Sequence, residues 1–221
     1  METSAFDSYL VSGNITIFVG SHTDNYKKDI LASSLLAELV AGQQSNDRIA
    51  SWPTYTDTLK KVGWILNSRS SQRIEFINSS LFDVIDESVG SALSQDNRKE
   101  LANAFSQIAA LSNDSPAYKE IVEKLQKNAK ANTASSAALL TIVRNDKTVV
   151  TLQVTFETAE ALATNILNLP VLNAITDRKT NVWMVCSALD ARHYNDVRSE
   201  VLKKLGRKIE TEILHIQNPQ Q

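Results

Sequence analysis

The spacing of apolar residues predicts strands and helices in the first third of the chain. Apolar residues occupy every second position from Asn14 to Val19, between two glycines, which is typical of a short strand. From residue 26 to residue 43 the apolar positions recur at helical spacing, and Thr23 or Asp24 can cap the start. A second helix, with a proline near its first turn, is predicted over residues 50–61.

Residues 64–77 alternate only weakly between apolar and polar side chains. We interpret them as two strands joined by a turn, a β-hairpin. Three helices follow, each predicted from an apolar stripe and a serine at its start: residues 81–93 after Ser80, the helix after Ser94, and the helix that opens with Ser115 and Pro116.

The last third of the chain again mixes the two periods. Two apolar segments on either side of Asn145-Asp146 predict a hairpin, and residues 182–189, apolar on both faces, predict a central strand. Residues 158–175 are ambiguous because Pro170 interrupts a short helical pattern. Residues 194–216 carry an i, i+4 apolar stripe, which predicts a long C-terminal amphipathic helix.

This order of elements favours an α+β fold. Hairpins join antiparallel strands, and the helices come in blocks, so we expect a mostly antiparallel sheet built from hairpins and packed by helices. The 221 residues suit a single domain spanning residues 1–221, and the polar stretch 128–136 is the best candidate for a junction between two lobes.

Charge and cysteine content narrow the class of protein. The net charge is −2, with 23 basic and 25 acidic residues, so we expect no nucleic-acid partner. A single cysteine, Cys186, indicates a reducing compartment, and the first residues lack the features of a secretory signal. We therefore expect a soluble, cytoplasmic protein, with export by a signal-independent route as the alternative.

The motifs of common enzyme classes are missing from the sequence. No phosphate-binding glycine pattern and no Gly-x-Ser-x-Gly element occurs. The three histidines, His22, His193 and His215, have no metal-ligand spacing to one another or to Cys186. We accordingly expect no cofactor and no metal, and the sequence leans away from an enzyme.

Cys186, Asp190 and His193 are nevertheless the candidate site residues. Cys186 is interpreted as an inert thiol on an apolar strand face, or alternatively as a nucleophile or acylated thiol with His193 or His215 as partner. Asp190 follows the strand and either contributes to such a site or caps the next helix, as Asn195 also could.

The predicted last helix has a polar face that permits two interpretations. It carries five basic and three acidic residues, which fits either a solvated face or a helix lying on an anionic membrane. The basic residues are Arg198, Lys203, Lys204, Arg207 and Lys208.

Three segments carry a resemblance to a group of uncharacterised bacterial and fungal α+β proteins: residues 30–39, residues 55–64 with the sequence Leu-Lys-Lys-Val-Gly-Trp at their end, and residues 194–206. The resemblance spans most of the chain and implies one intact domain. More loosely, the chain is similar to a virulence factor of insect-gut colonisation that carries a fatty acid on a buried cysteine. That likeness implies an acyl-carrying Cys186 in an apolar cleft.

Two hypotheses for function follow from these observations. The first is a non-enzymatic interaction protein, effector-like or virulence-like, that forms a homo-oligomer or binds a protein partner through the last helix or an exposed sheet edge. The alternative is a cysteine-dependent enzyme, or an acyl-carrying or lipid-binding protein in contact with membrane or fatty acid, that uses Cys186.

Overall fold

A computed structural model describes residues 6–45, 48–75, 80–90, 92–128, 136–156 and 179–216. The ambiguous segment 158–175 lies outside the described residues, and so does nearly all of the proposed lobe junction at 128–136.

The described residues form seven strands and seven helices. In chain order these are β1 (Phe6–Val11), β2 (Asn14–Val19), α1 (Asp24–Gln44), α2 (Arg48–Lys61), β3 (Trp64–Glu75), α3 (Leu81–Val89), α4 (Gln95–Ala109), α5 (Pro116–Asn128), β4 (Ser136–Val143), β5 (Val149–Phe156), β6 (Lys179–Leu189), α6 (Ala191–Leu205), α7 (Lys208–Glu212) and β7 (Ile213–Ile216).

All seven strands belong to one sheet with the order β3-β6-β5-β4-β2-β1-β7. Every neighbouring pair is antiparallel except β2 and β4, which run parallel. The β1–β2 and β4–β5 pairs are hairpins, and the second of these turns at the predicted Asn145-Asp146. The predicted α+β class with a mostly antiparallel sheet is confirmed.

The sheet separates two apolar cores. Because side chains alternate along a strand, Ile17 packs on one face with α3, α4 and α5, whereas Phe18 packs on the other with α1, α2 and α6. We call these the α4 face and the α1 face. The two residues are fully buried, so each core is closed by its own helical layer.

Four predicted helix starts are confirmed by side-chain caps. The hydroxyls of Thr23, Ser80, Ser94 and Ser115 each accept a hydrogen bond from a backbone N–H three residues later. At Ser80 the cap is reciprocal, because the Asp83 carboxylate accepts the backbone N–H of Ser80 at 2.7 Å.

The predicted hairpin over residues 64–77 is wrong, because β3 is one continuous strand from Trp64 to Glu75. No glycine or proline occurs within it to make a tight turn. Instead β6 provides an antiparallel partner for its whole length, with one irregularity between Leu66 and Ser68.

The predicted helix over residues 194–216 is confirmed only in its first part, and its continuous extension to Ile216 is wrong. Helix α6 ends at Leu205, Gly206 adopts a positive φ of 52°, and after the short α7 the chain forms β7 beside β1. The strand β1 itself was not predicted. Among the described residues no helix combines the length and the hydropathy needed to cross a bilayer.

Candidate functional site

Asp190 serves as the N-cap of α6. Its carboxylate accepts the backbone N–H groups of Arg192 at 2.9 Å and His193 at 3.3 Å. These donors have no partner within the helix, so the carboxylate stabilises the helix start and interacts favourably with its dipole. The capping interpretation of Asp190 therefore describes its contacts.

His193 is exposed and lies beside the turn between α2 and β3. The backbone N–H of Asp190 donates to the carbonyl of Gly63 at 2.9 Å, which fastens this turn to the start of α6. A Cβ on Gly63 would lie 3.0 Å from the nitrogen of Tyr194 and 3.2 Å from Cβ of His193. With its φ of 94°, this position favours glycine on both counts.

Cys186 lies on the opposite side of the sheet from α6. Its half-buried thiol packs with Met184 against the core of the α4 face, as the strand alternation predicts, whereas α6 packs on the α1 face. His215, the other predicted partner, is on β7 at the far edge, where its ring stacks on Tyr9. The structure thus joins Asp190 to His193 but brings neither to Cys186, and activity through Cys186 stays a prediction.

The described residues contain no group of three or more His, Cys, Asp or Glu side chains that could hold a metal ion.

A row of polar side chains is buried on the α1 face of the sheet. On this face Thr16 lies opposite Thr141, and Thr141 lies opposite Thr151, in three neighbouring strands. Asn14 donates its amide to the Thr141 hydroxyl at 3.1 Å, and the hydroxyl of Thr151 is 3.5 Å from the same oxygen. The hydroxyl of Thr16 is buried with no hydrogen-bond partner.

We expect Thr16→Val to raise the free energy of unfolding by about 1–3 kcal/mol, because it removes a buried hydroxyl that forms no hydrogen bond. Thr141→Val is the matched control, since the same change there removes a bonded hydroxyl and leaves the Asn14 amide unsatisfied. Urea unfolding measures both values. A loss of stability at Thr16 equal to that at Thr141 would contradict the prediction.

Helices α1 and α6 are clamped together at Asp29. The Asp29 carboxylate accepts two hydrogen bonds from Arg198, from Nε at 2.9 Å and from a terminal nitrogen at 2.7 Å. The Arg198 guanidinium also lies over the ring of Tyr194, 5.5 Å from its centroid. Burial, with a smaller contribution from the Asp29 charge, raises the pKa of Tyr194 to about 12. The three side chains hold α6 on the α1 layer.

The edge strand β3 is exposed over much of its length. Residues 67–73 are all exposed, and the backbone of β3 pairs with β6 alone among the described strands. The opposite edge differs, because β7 has only four residues. Natural sheets commonly keep edge strands short, so an edge strand of twelve residues is unusual.

Arg69 carries positive charge on this edge. It faces the same side of the sheet as Arg73, and it forms no salt bridge with the side chains that the structure describes. At the end of α2 nearby, Lys60 donates to Asp57 at 3.0 Å. This hydrogen bond, the charge of Lys60 and the charge of Arg69 lower the pKa of Asp57. The sequence signal for the edge was present: a run of polar residues on both faces of a strand, without glycine or proline.

Comparison with known proteins adds little to this description. No family model matches the chain, and no curated protein matches it. Among solved structures it is similar to a delta-endotoxin, with 13% sequence identity and a TM-score of 0.35, over 81% of this chain and 84% of that one. The resemblance to the group of bacterial and fungal proteins is not confirmed by these comparisons.

Proposed function

We propose that this chain is a non-enzymatic interaction protein that self-associates through the free edge of β3. The observation that carries the proposal is the run of seven exposed residues, 67–73, on an edge strand with one described neighbour. An effector-like or virulence-like role, carried out through contacts with other chains, is part of the same proposal.

The outer edge of β3 presents backbone groups that can pair with another strand. In an edge strand the N–H and C=O groups of every second residue point away from the sheet, so a second strand can add to it. Residues 67–73 are polar on both faces, and a strand with no apolar face has a weakly specified register. Both properties favour pairing with another chain.

Two features of β3 act against indiscriminate pairing. The irregularity between Leu66 and Ser68 interrupts the ladder near its start, and Arg69 and Arg73 place charges along the edge. Both are devices that natural edge strands use against aggregation. The pairing of β3 with β6 is regular over residues 68–75. We therefore expect a specific association and not open-ended growth.

Proline substitution at Ser70 and at Ser71 tests the proposal. Successive residues direct their N–H groups to opposite edges, so one proline removes a hydrogen bond to β6 and the other removes only an outward donor. We expect the variant that loses a hydrogen bond to β6 to melt well below the parent protein. The variant that loses only the outward donor should keep the melting temperature of the parent and lose self-association, as measured by sedimentation velocity.

Ser70→Ala and Ser71→Ala are the matched controls, and both should associate like the parent. A parent protein that stays monomeric at the highest attainable concentration would overturn the proposal. An outward-facing proline variant that keeps its fold and still associates would also overturn it.

A further inference from the structure

From the charges on β3 we infer the register in which two copies pair, an inference that rests on the proposed function. The two β3 strands run antiparallel, with Gln72 of one copy opposite Gln72 of the other. Three properties of β3 determine this register: the hydrogen-bonding geometry of its backbone, the positions of Arg69 and Arg73, and the irregularity near Ser68.

Geometry first limits the registers that are available. Two residues directly opposite in an antiparallel pair have the same orientation: both direct their backbone groups to the shared edge, or both direct them away from it, and this orientation alternates along a strand. When a strand pairs with its own copy, the numbers of opposed residues must therefore add up to an even number. The two-fold axis then passes beside one residue and its own counterpart.

The arginines exclude three of these axes. An axis at Arg69 or at Arg73 places that arginine opposite itself, and an axis at Ser71 places Arg69 opposite Arg73 twice, since 69 + 73 equals twice 71. Like charges directly opposite across two strands are destabilising. Within residues 69–73 only the axes at Ser70 and Gln72 remain.

The length of regular strand decides between the two. Because the ladder is irregular between Leu66 and Ser68, an axis at Ser70 extends regular pairing only over residues 68–72. An axis at Gln72 extends it over residues 69–75. The longer pairing forms more backbone hydrogen bonds and is favoured.

The Gln72 axis also makes the charges complementary. It places Arg69 of each copy opposite Glu75 of the other, since 69 + 75 equals twice 72, and it places Arg73 opposite Ser71. Opposite charges in directly opposed positions stabilise a strand pair. The two-fold axis doubles this contribution, because both copies supply one arginine and one glutamate.

Cysteine cross-linking measures the register directly. In a Cys186→Ser background, Gln72→Cys places two thiols directly opposite each other, with Cβ atoms about 4.5–5.5 Å apart, close to the separation that a disulfide spans. Ser70→Cys is the matched control, because its two copies then lie four positions apart along the ladder. Under mild oxidation we expect covalent dimer from the Gln72 variant and none from the Ser70 variant.

Charge reversal gives a second readout that does not depend on disulfide geometry. Arg69→Glu places glutamate opposite Glu75 twice, so we expect the dimer to weaken about tenfold or more. The double variant with Arg69→Glu and Glu75→Arg exchanges the two charges and should restore association. Melting temperatures show that each variant is folded.

The possible results separate this inference from the proposed function. Cross-linking at position 70 instead of 72, or failure of the folded double variant to restore association, would overturn the register and leave strand pairing intact. A parent protein that is monomeric, together with no cross-linking at either position, would overturn both.

Discussion

Replacing Trp64 with alanine is expected to lower the free energy of unfolding by about 3–5 kcal/mol. The indole is only 3% exposed and packs in the core of the α1 face at the first residue of β3. Its Nε1 donates a hydrogen bond to the Ser33 hydroxyl on α1 at 3.0 Å. The substitution therefore removes a large apolar contact and one hydrogen bond, although the Ser33 hydroxyl still donates to the Asp29 carbonyl at 2.7 Å. Chemical denaturation measures the loss.

Two controls separate the apolar contact from the hydrogen bond. Trp64→Phe keeps an aromatic ring but lacks the donor, and Ser33→Ala removes the acceptor while the indole remains. We expect each to cost less than Trp64→Ala, because a single net hydrogen bond contributes about 0.5–1.5 kcal/mol. If Trp64→Ala lowered the free energy of unfolding by less than about 1 kcal/mol, the prediction would be contradicted, because the buried indole would then contribute little to stability.

Local signals in the sequence predict the helix starts well. Thr23, Ser80, Ser94 and Ser115 act on backbone donors only three residues away, so the residues that determine each start are next to one another in the chain. The β4–β5 hairpin is local in the same sense, because Asn145-Asp146 alone provides its turn. Such elements need no knowledge of distant partners.

The errors in the prediction concern segments whose structure depends on distant partners. β3 is a strand because β6, more than a hundred residues later, pairs with its full length. The apolar spacing of Ile209, Ile213 and Ile216 fits a helix, but Ile213–Ile216 forms β7 and pairs with β1 at the other end of the chain. Short apolar patterns fit both periods, and tertiary pairing decides between them.

The candidate site could be predicted only in part for a related reason. Alternation along β6 correctly places Cys186 on an apolar strand face, and the position of Asp190 before a helix correctly suggests a cap. The helices that cover each face of the sheet are determined by the path of the whole chain, and local sequence patterns do not show that path. Proximity in sequence therefore suggested a Cys186–His193 pair, although the sheet lies between Cys186 and α6.

The ion pair between Asp29 and Arg198 is expected to stabilise the fold by about 1–2 kcal/mol, more than an ordinary surface pair. The carboxylate is 16% exposed and the guanidinium 37%, and the two hydrogen bonds between them have the paired geometry that arginine favours. The ion pair joins α1 to α6, a helix that begins much later in the chain at Ala191, so it closes the α1 layer.

A double-mutant cycle with Asp29→Ala and Arg198→Ala measures the coupling between the two side chains. The matched control is the pair of Asp86 and Arg98, which joins α3 to α4 at 3.3 Å with side chains 47% and 41% exposed. Solvent screens these two charges, and a single hydrogen bond joins them. The coupling energy of this pair should therefore fall below about 0.5 kcal/mol. If the two cycles gave equal coupling, burial and paired geometry would contribute nothing at Asp29, and the apolar contacts of α6, such as those of Tyr194, Val201 and Leu205, would hold it on the α1 layer.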